Sequence, residues 1–231
     1  MAVLILDPTL EKRVRAERGD KTRDEVWDGV LVMSPVADVE HQYIAGELQF
    51  IFRTIVGPLA EGCVFGPVNV SDREQGWLEN FREPDVSVFL RDNPARYCGS
   101  HWFGGPDLAV EIVSPYDRSR DKGLFYAKVG VREFVVIDRN PWAIELYRPE
   151  GGGMRRVGRS TVGVSEALAL GVLPLSLRLV AGKSRPSIEV AHEFDGRLWS
   201  IEFMAHDGFR GGASKRPISD PNSLLPRART L

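Results

Sequence analysis

The amino-acid sequence predicts a mixed α/β domain in which helices flank a central mixed β-sheet, with extra strands near the carboxyl end. Apolar runs of strand length alternate with two stretches of helical periodicity. Gly, Pro and Asp-Gly turns separate these segments, which is typical of one layered α/β core. The chain has 231 residues, 43% of them hydrophobic and 27% charged, so a core of ordinary size is available.

The amino-terminal half predicts a hairpin, a helix and several strands. Asp28-Gly29 between two apolar runs favours a two-residue hairpin turn. From His41, apolar side chains recur at three- and four-residue steps to about Val56, which indicates an amphipathic helix. Short strand-like runs follow at 63–65 and 68–70, and the alternating segment 85–90 predicts a longer strand.

The carboxyl-terminal half predicts a central strand, a second helix and further strands. Residues 107–113 are almost continuously apolar, which is typical of a strand covered on both faces. A helix is expected over 119–129, ended by Gly130, and strands over 133–138 and 143–147. Weaker patterns favour a short helix within 162–170, an edge strand over 173–180 that tolerates Pro174, and two strands within 188–205.

We divide the chain into a domain at 1–182, a β extension at 183–205 and a tail at 206–231 whose composition predicts disorder. A net charge of −2 gives no overall basicity that would attract nucleic acid. Two distant cysteines suit neither a disulfide framework nor a zinc site. No apolar run approaches the ~18 residues of a membrane helix, and no signal peptide is evident, so we expect a cytoplasmic protein without a membrane partner.

Glu111 is the least expected residue of the predicted core. It interrupts an apolar strand, and a lone buried carboxylate is costly unless a cation compensates it. The alternative is an edge strand whose glutamate points to water, but the apolar residues on both sides of Glu111 predict that both faces are covered.

Asp85 is a second candidate because it opens a strand directly after Pro84. Alone it reads as a turn aspartate, and Glu83 carries the same charge. If the strand of Asp85 lies beside that of Glu111, the two carboxylates converge. Two carboxylates, waters and a substrate phosphate are what Mg²⁺ requires.

Lys122 is the third candidate. Helical spacing places it on the same face as Phe125 and Tyr126, the face expected to meet the sheet. It also lies in the first turns of the helix, where the helix dipole disfavours a cation. A nearby carboxylate–phosphate site accounts for such a lysine, and a snorkelling side chain is the alternative.

Other polar residues give weaker signals. Asp107 lies four residues before Glu111, about 13 Å along a strand, which is too far to share one metal. Asp138 is expected to form a turn. Arg155, Arg156 and Arg159 make a basic cluster that either contacts a phosphate backbone or forms ordinary solvated surface.

Four segments together resemble the Uma2 family, also called DUF820, over roughly residues 20–180. They are Glu-Pro-Asp-Val-Ser-Val at 83–88, Pro-Asp-Leu-Ala-Val-Glu-Ile-Val-Ser-Pro at 106–115, Asp121-Lys122 with Tyr126, and the run from Gly130 to Asp138. The resemblance implies the PD-(D/E)XK core of restriction endonucleases, with Asp85 and Glu111 as the acids that bind Mg²⁺, or Mn²⁺, and Lys122 as the catalytic lysine.

The resemblance leaves some roles open. Val113 stands where the superfamily's usual lysine would be, and in Uma2-like sequences the lysine lies on the following helix, where Lys122 matches. Glu25 and Glu47 are both candidates for an accessory carboxylate. His41 is expected to cap its helix or to be exposed, with a phosphate contact as the alternative.

The function implied by the resemblance is a Mg²⁺-dependent endonuclease that hydrolyses phosphodiester bonds of DNA, acting as a homodimer. RNA would use the same site. The alternative is a catalytically inactive nucleic-acid- or protein-binding module on the same fold, favoured by the sequence pI near 6.1 and the displaced lysine.

Overall fold

The computed structural model describes residues 3–5 (backbone only), 24–34, 37–57, 61–114 and 118–203. Two α-helices and three β-sheets lie within these ranges, and a 3₁₀ turn at Ser119–Lys122 leads directly into the second helix. In chain order the elements are β1 (Val3–Ile5), β2 (Glu25–Trp27), β3 (Val30–Met33), α1 (Val39–Val56), β4 (Gly62–Phe65), β5 (Val70–Ser71), β6 (Phe81–Arg82), β7 (Val86–Leu90), β8 (Arg96–Tyr97), β9 (Trp102–Phe103), β10 (Leu108–Ile112), α2 (Gly123–Lys128), β11 (Glu133–Arg139), β12 (Trp142–Glu150), β13 (Gly153–Ser160), β14 (Leu168–Ala169), β15 (Leu175–Val180), β16 (Ser187–His192) and β17 (Leu198–Ile201).

The central sheet has six strands in the order β13-β12-β11-β10-β7-β4. Strand β10 pairs in parallel with β11 and antiparallel with β7, so the predicted mixed sheet with β10 in its interior is confirmed. All five residues of β10 are buried because both of its faces are covered. Leu108, Val110 and Ile112 belong to the core beneath α1, whereas Ala109 faces the core beneath α2. Strand alternation places Glu111 on that second face.

The hairpin β2–β3 forms one part of a seven-stranded sheet in the order β1-β3-β2-β6-β5-β9-β8. Its turn residues Asp28 and Gly29 both have positive φ, 49° and 84°, as the predicted two-residue turn requires. This sheet lies on the α2 side of the central sheet, since Val70 and Phe125 share one core cluster. It therefore brings β2 to the face that carries Glu111.

Both predicted helices are present, with adjusted bounds. Helix α1 begins before His41 because the carboxylate of Asp38 accepts a hydrogen bond from the His41 amide at 2.8 Å and caps the helix. The helix expected over 119–129 is divided into the 3₁₀ turn and α2. Gly130 ends it with φ of 88°, as predicted.

The carboxyl-terminal strands form a separate sheet in the order β14-β15-β16-β17, and two predictions there are wrong. Residues 162–170 form no helix: a turn joins Thr161 to Val164, Val164 is exposed, and Leu168 begins β14. Strand β15 is not an edge strand, since it lies between β14 and β16. Pro174 precedes it, so the missing N–H removes no hydrogen bond from the ladder.

The proposed division at 182/183 stays a prediction, although β15 and β16 pair on either side of it from Leu175 opposite His192 to Val180 opposite Ser187. The tail at 206–231 lies outside the described residues. Among the helices that are described, none has the length and apolar character needed to cross a membrane.

Candidate active site

Asp85 and Glu111 face each other across two paired strands. The antiparallel register pairs Val86 of β7 with Val110 of β10, so its next step sets Asp85 opposite Glu111. Both carboxylates are buried, with 6% and 3% of their residue surface exposed. They line one pocket together with Lys122, as the sequence predicted.

Glu111 is held by two side chains from the 3₁₀ turn and α2. The Nζ of Lys122 donates to both carboxylate oxygens, at 2.8 and 2.9 Å. One turn later, the hydroxyl of Tyr126 donates to Oε1. Burial raises the pKa of Glu111 above its ordinary value; Lys122 opposes this shift, and the negative charges of Asp85 and Glu25 add to it.

Lys122 also contacts Glu25 of β2, with Nζ 2.8 Å from Oε1. Burial alone would lower the pKa of Lys122, but Glu111 and Glu25 outweigh it and raise the pKa above the ordinary value of 10.5. The ammonium therefore stays charged. Its head group lies in the pocket between two carboxylates rather than in water, so the snorkelling alternative is wrong.

Of the two candidate accessory acids, the structure brings Glu25 into the pocket and leaves Glu47 on α1, outside the lining residues. Glu25 is fixed from both sides: its Oε1 accepts the amide of Glu83 at 2.7 Å, and its Oε2 accepts the indole N–H of Trp27 at 2.7 Å. The hairpin β2–β3 thus carries a third buried carboxylate to Lys122.

His41 is neither exposed nor the helix cap, so that expectation is wrong. It is 4% exposed, and its Nε2 lies 2.8 Å from Oδ1 of Asp85. Asp85 Oδ2 accepts the backbone amide of Ile112 at 2.8 Å. Burial raises the pKa of Asp85, but the hydrogen bond and charge of His41 and the Ile112 amide outweigh it, so the net pKa lies below 3.8. The position of His41 on the apolar stripe of the helix, with Ile44, was the sequence signal that could have predicted its burial.

Trp27 closes one side of the pocket and was not predicted. Its ring lies between two guanidinium groups, with the carbon of Arg82 4.3 Å and that of Arg118 4.8 Å from the ring centroid. Arg118 lines the pocket and also pairs with Asp121 at 2.7 Å. These contacts hold the indole that in turn orients Glu25.

The donor set of the pocket is compatible with a hard divalent cation. Asp85 and Glu111 present opposed carboxylates. Oε1 of Glu111 accepts from both Lys122 and Tyr126, whereas its Oε2 accepts from Lys122 and keeps a second lone pair. In the ranges that the structure describes, no three His, Cys, Asp or Glu side chains are arranged to hold a metal alone. A two-carboxylate site completed by water and substrate is the arrangement that fits Mg²⁺.

The other polar residues behave as structural groups. Asp107 lies at the far end of β10, where its Oδ2 accepts the amide of Leu90 at 2.8 Å and the side chain of Asn93 at 2.9 Å. Asp138 forms the expected turn by accepting the Asn140 amide at 2.9 Å. Asp107 does not line the pocket of Glu111, as its distance along the strand predicted, and the turn expected at Asp138 is confirmed.

Comparison with known proteins identifies the family of the chain. The family model of Uma2, described as "Putative restriction endonuclease", matches residues 10–179. None of the curated proteins compared with the chain matches it significantly. Among solved structures, the chain is similar to "a putative nuclease belonging to DUF820 from Anabaena variabilis ATCC 29413", at 22% identity and a TM-score of 0.47, over 58% of this chain and 75% of that one. Because the family model covers most of the sequence, the chain belongs to the Uma2 family.

Proposed function

We propose that the chain is a Mg²⁺-dependent endonuclease that hydrolyses phosphodiester bonds of DNA, with Asp85 and Glu111 binding the metal and Lys122 assisting. One observation carries the proposal: residues separated by up to 97 positions in sequence, Glu25 on β2 and Lys122 on the 3₁₀ turn, meet Asp85 and Glu111 in one buried pocket. The nuclease family of the chain supports the same reaction class.

The charge of the pocket supports a metal site. Glu25 and Glu111 share the ammonium of Lys122, and Asp85, a third buried carboxylate, pairs with His41. Burying like charges is costly unless cations compensate them. A divalent ion between Asp85 and Glu111 would supply the missing positive charge, so this carboxylate excess is expected of a protein that binds Mg²⁺ or Mn²⁺ there.

The ionisable residues around Asp85 and Glu111 have distinct roles in this proposal. Bound Mg²⁺ would polarise a phosphoryl oxygen and lower the pKa of a bound water. Asp85 is oriented by His41 and the Ile112 amide, and Glu111 by Tyr126. Lys122, whose pKa is raised, would remain cationic and neutralise charge that develops on the phosphoryl oxygens. Glu25 holds Lys122 at the correct distance from Glu111.

Plasmid cleavage tests the proposal. Supercoiled plasmid incubated with the wild-type protein and Mg²⁺ should be nicked, and excess EDTA should abolish nicking. Asp85→Asn and Glu111→Gln should each lower the rate by at least ~100-fold, the scale for groups that stabilise a transition-state charge. Glu47→Gln, outside the pocket, is the matched control and should cleave like the wild type. Equal cleavage by all four proteins would contradict the proposal.

The inactive binding module remains a second candidate because both oxygens of Glu111 are already hydrogen-bonded to Lys122. In that case the ion pair replaces the metal. Calorimetric titration with Mn²⁺ distinguishes the two: a binding event that disappears in Glu111→Gln supports the nuclease, whereas no heat from the wild type supports the inactive module.

A further inference from the structure

A single row of side chains connects Glu111 to a cluster of arginines. The strand register pairs Glu111 with Val136, Val136 with Glu145, and Glu145 with Arg159. Directly paired residues project from the same face of a sheet, and adjacent strands lie about 4.8 Å apart. Glu145 therefore lies about 10 Å from Glu111 and Arg159 about 14 Å from it.

Glu145 gathers three guanidinium groups. Arg120 donates through Nε to Oε2 at 2.9 Å, and Arg156 donates through Nη1 to Oε1 at 2.9 Å. Arg159 Nε lies 3.6 Å from Oε1, an ion-pair distance. Glu145 is 4% exposed, whereas the three arginine side chains are 44–51% exposed. Arg155, which the sequence grouped with them, instead pairs with Glu150.

The cluster carries more positive charge than its acids need. Glu145 and Asp138, which also pairs with Arg120, supply two negative charges against three arginines. A single arginine fork is sufficient to satisfy one carboxylate. Each guanidinium has five N–H donors, and about half of each arginine side chain is exposed at the surface. In a chain of net charge −2, this local surplus stands out.

The 3₁₀ turn joins the cluster to the pocket. Arg120 and Lys122 belong to this one turn, and they point to Glu145 and Glu111 respectively. Arg118 of the same segment lines the pocket. A ligand that enters the pocket and continues across β11 and β12 would therefore meet Arg120 first and then Arg156 and Arg159.

We propose that Arg120, Arg156 and Arg159 form a subsite for the nucleic-acid backbone, beyond the phosphate at Glu111. At ~10–14 Å from Glu111, the subsite is too far away to contact that same phosphate. The inference rests on the proposed function in assuming that the pocket receives a nucleic-acid phosphate. Buried Glu145 pre-orients the three guanidiniums for phosphate oxygens.

Salt-dependent binding of DNA tests this subsite without relying on cleavage. A fluorescein-labelled duplex is titrated in EDTA by fluorescence anisotropy at several salt concentrations. The double variant Arg156→Gln/Arg159→Gln keeps amide donors for Glu145 but removes two charges. Its slope of log Kd against log salt should be about 2 less steep than that of the wild type. Arg156→Lys/Arg159→Lys should restore the slope.

The matched control is Arg178→Gln/Arg197→Gln on the carboxyl-terminal sheet, where both arginines are similarly exposed and paired with acids. It should keep the wild-type slope. An unchanged slope in the Arg156/Arg159 glutamine variant, or an equal change in the control, would overturn the subsite. Because the titration is done in EDTA, it measures binding at this subsite even if the protein fails to cleave plasmid. Normal cleavage together with unchanged slopes would contradict the subsite but not the proposed nuclease function.

Discussion

Lys122 divides its contacts between two acids that come from different sheets. Its Nζ lies 2.8 Å from Glu25 Oε1 and 2.8 Å from Glu111 Oε1. Each acid raises the pKa of the lysine, and the lysine lowers that of Glu111. The position of the ammonium therefore depends on both acids, so a substitution at Glu25 should change the rate of cleavage.

Glu25→Gln tests that dependence. Glutamine keeps an acceptor for Lys122 and for the Glu83 amide but removes the charge and the acceptor for the Trp27 indole, so Lys122 should shift towards Glu111. We expect plasmid nicking to fall by roughly 10–100-fold, the usual cost of losing a group that orients an active-site residue. Glu47→Gln has a matched change of charge on α1 and should retain the wild-type rate. Equal rates for the two variants would remove Glu25 from the site.

The sequence predicted the charged residues that lie in otherwise buried elements. Glu111 interrupts an apolar strand and Lys122 lies on a buried helix face, so each was visible locally. The roles of His41 and Trp27 were missed. His41 contacts Asp85, 44 positions away, and Trp27 contacts Glu25, two positions away, and neither contact has a sequence signal. Only tertiary structure shows that the polar group of each has a buried partner.

At the scale of elements, strand and turn signals succeeded where the local chemistry was strong. Asp28-Gly29 and Gly130 both require positive φ, and both segments end or turn where expected. The helix prediction for 162–170 was wrong although Val164 and Leu168 have helical spacing: Val164 is exposed, and burial of Leu168 and Leu170 with Ala169 exposed follows the alternation of a strand. The prediction that β15 is an edge strand was wrong because its partner β14 has only two residues and is too short to predict from sequence.

Gly130→Ala tests how strictly the end of α2 is specified. Gly130 has φ of 88°, and a Cβ at this position would meet no atom within 4 Å, so the cost of alanine is conformational rather than steric. We expect the free energy of unfolding to fall by about 1–2 kcal/mol in urea titration. Gly46→Ala, at an equally open site within α1, should instead raise it by about 0.5–1 kcal/mol. A gain in both variants would contradict this assignment.

At the scale of the whole molecule, the arginine cluster makes stability depend on pH. Burial raises the pKa of Glu145, but the hydrogen bond and charge of Arg120 and the hydrogen bonds of Tyr147 and Arg156 outweigh it and lower the pKa below 4.5. Since the folded-state pKa is the lower one, this stabilisation is complete above the unfolded value and is lost as pH falls through the folded value.

Glu145→Gln should therefore lower the free energy of unfolding by about 1–2 kcal/mol at pH 7. The difference from the wild type should shrink as pH falls below about 4.5, because the wild-type carboxylate is then protonated as well. Urea titrations of both proteins between pH 7 and pH 3 measure this difference. A difference that stays constant across that range would show that the charge of Glu145 contributes nothing.

The central claim is that the opposed carboxylates of Asp85 and Glu111 bind a divalent metal beside Lys122. Anomalous diffraction from crystals soaked in Mn²⁺ tests it most directly, with Glu111→Gln crystals as the control. We expect one anomalous peak between the two carboxylates, within a few ångströms of the Lys122 ammonium, that is absent from the control. A pocket without a peak, in which Lys122 still bridges both oxygens of Glu111, would contradict it.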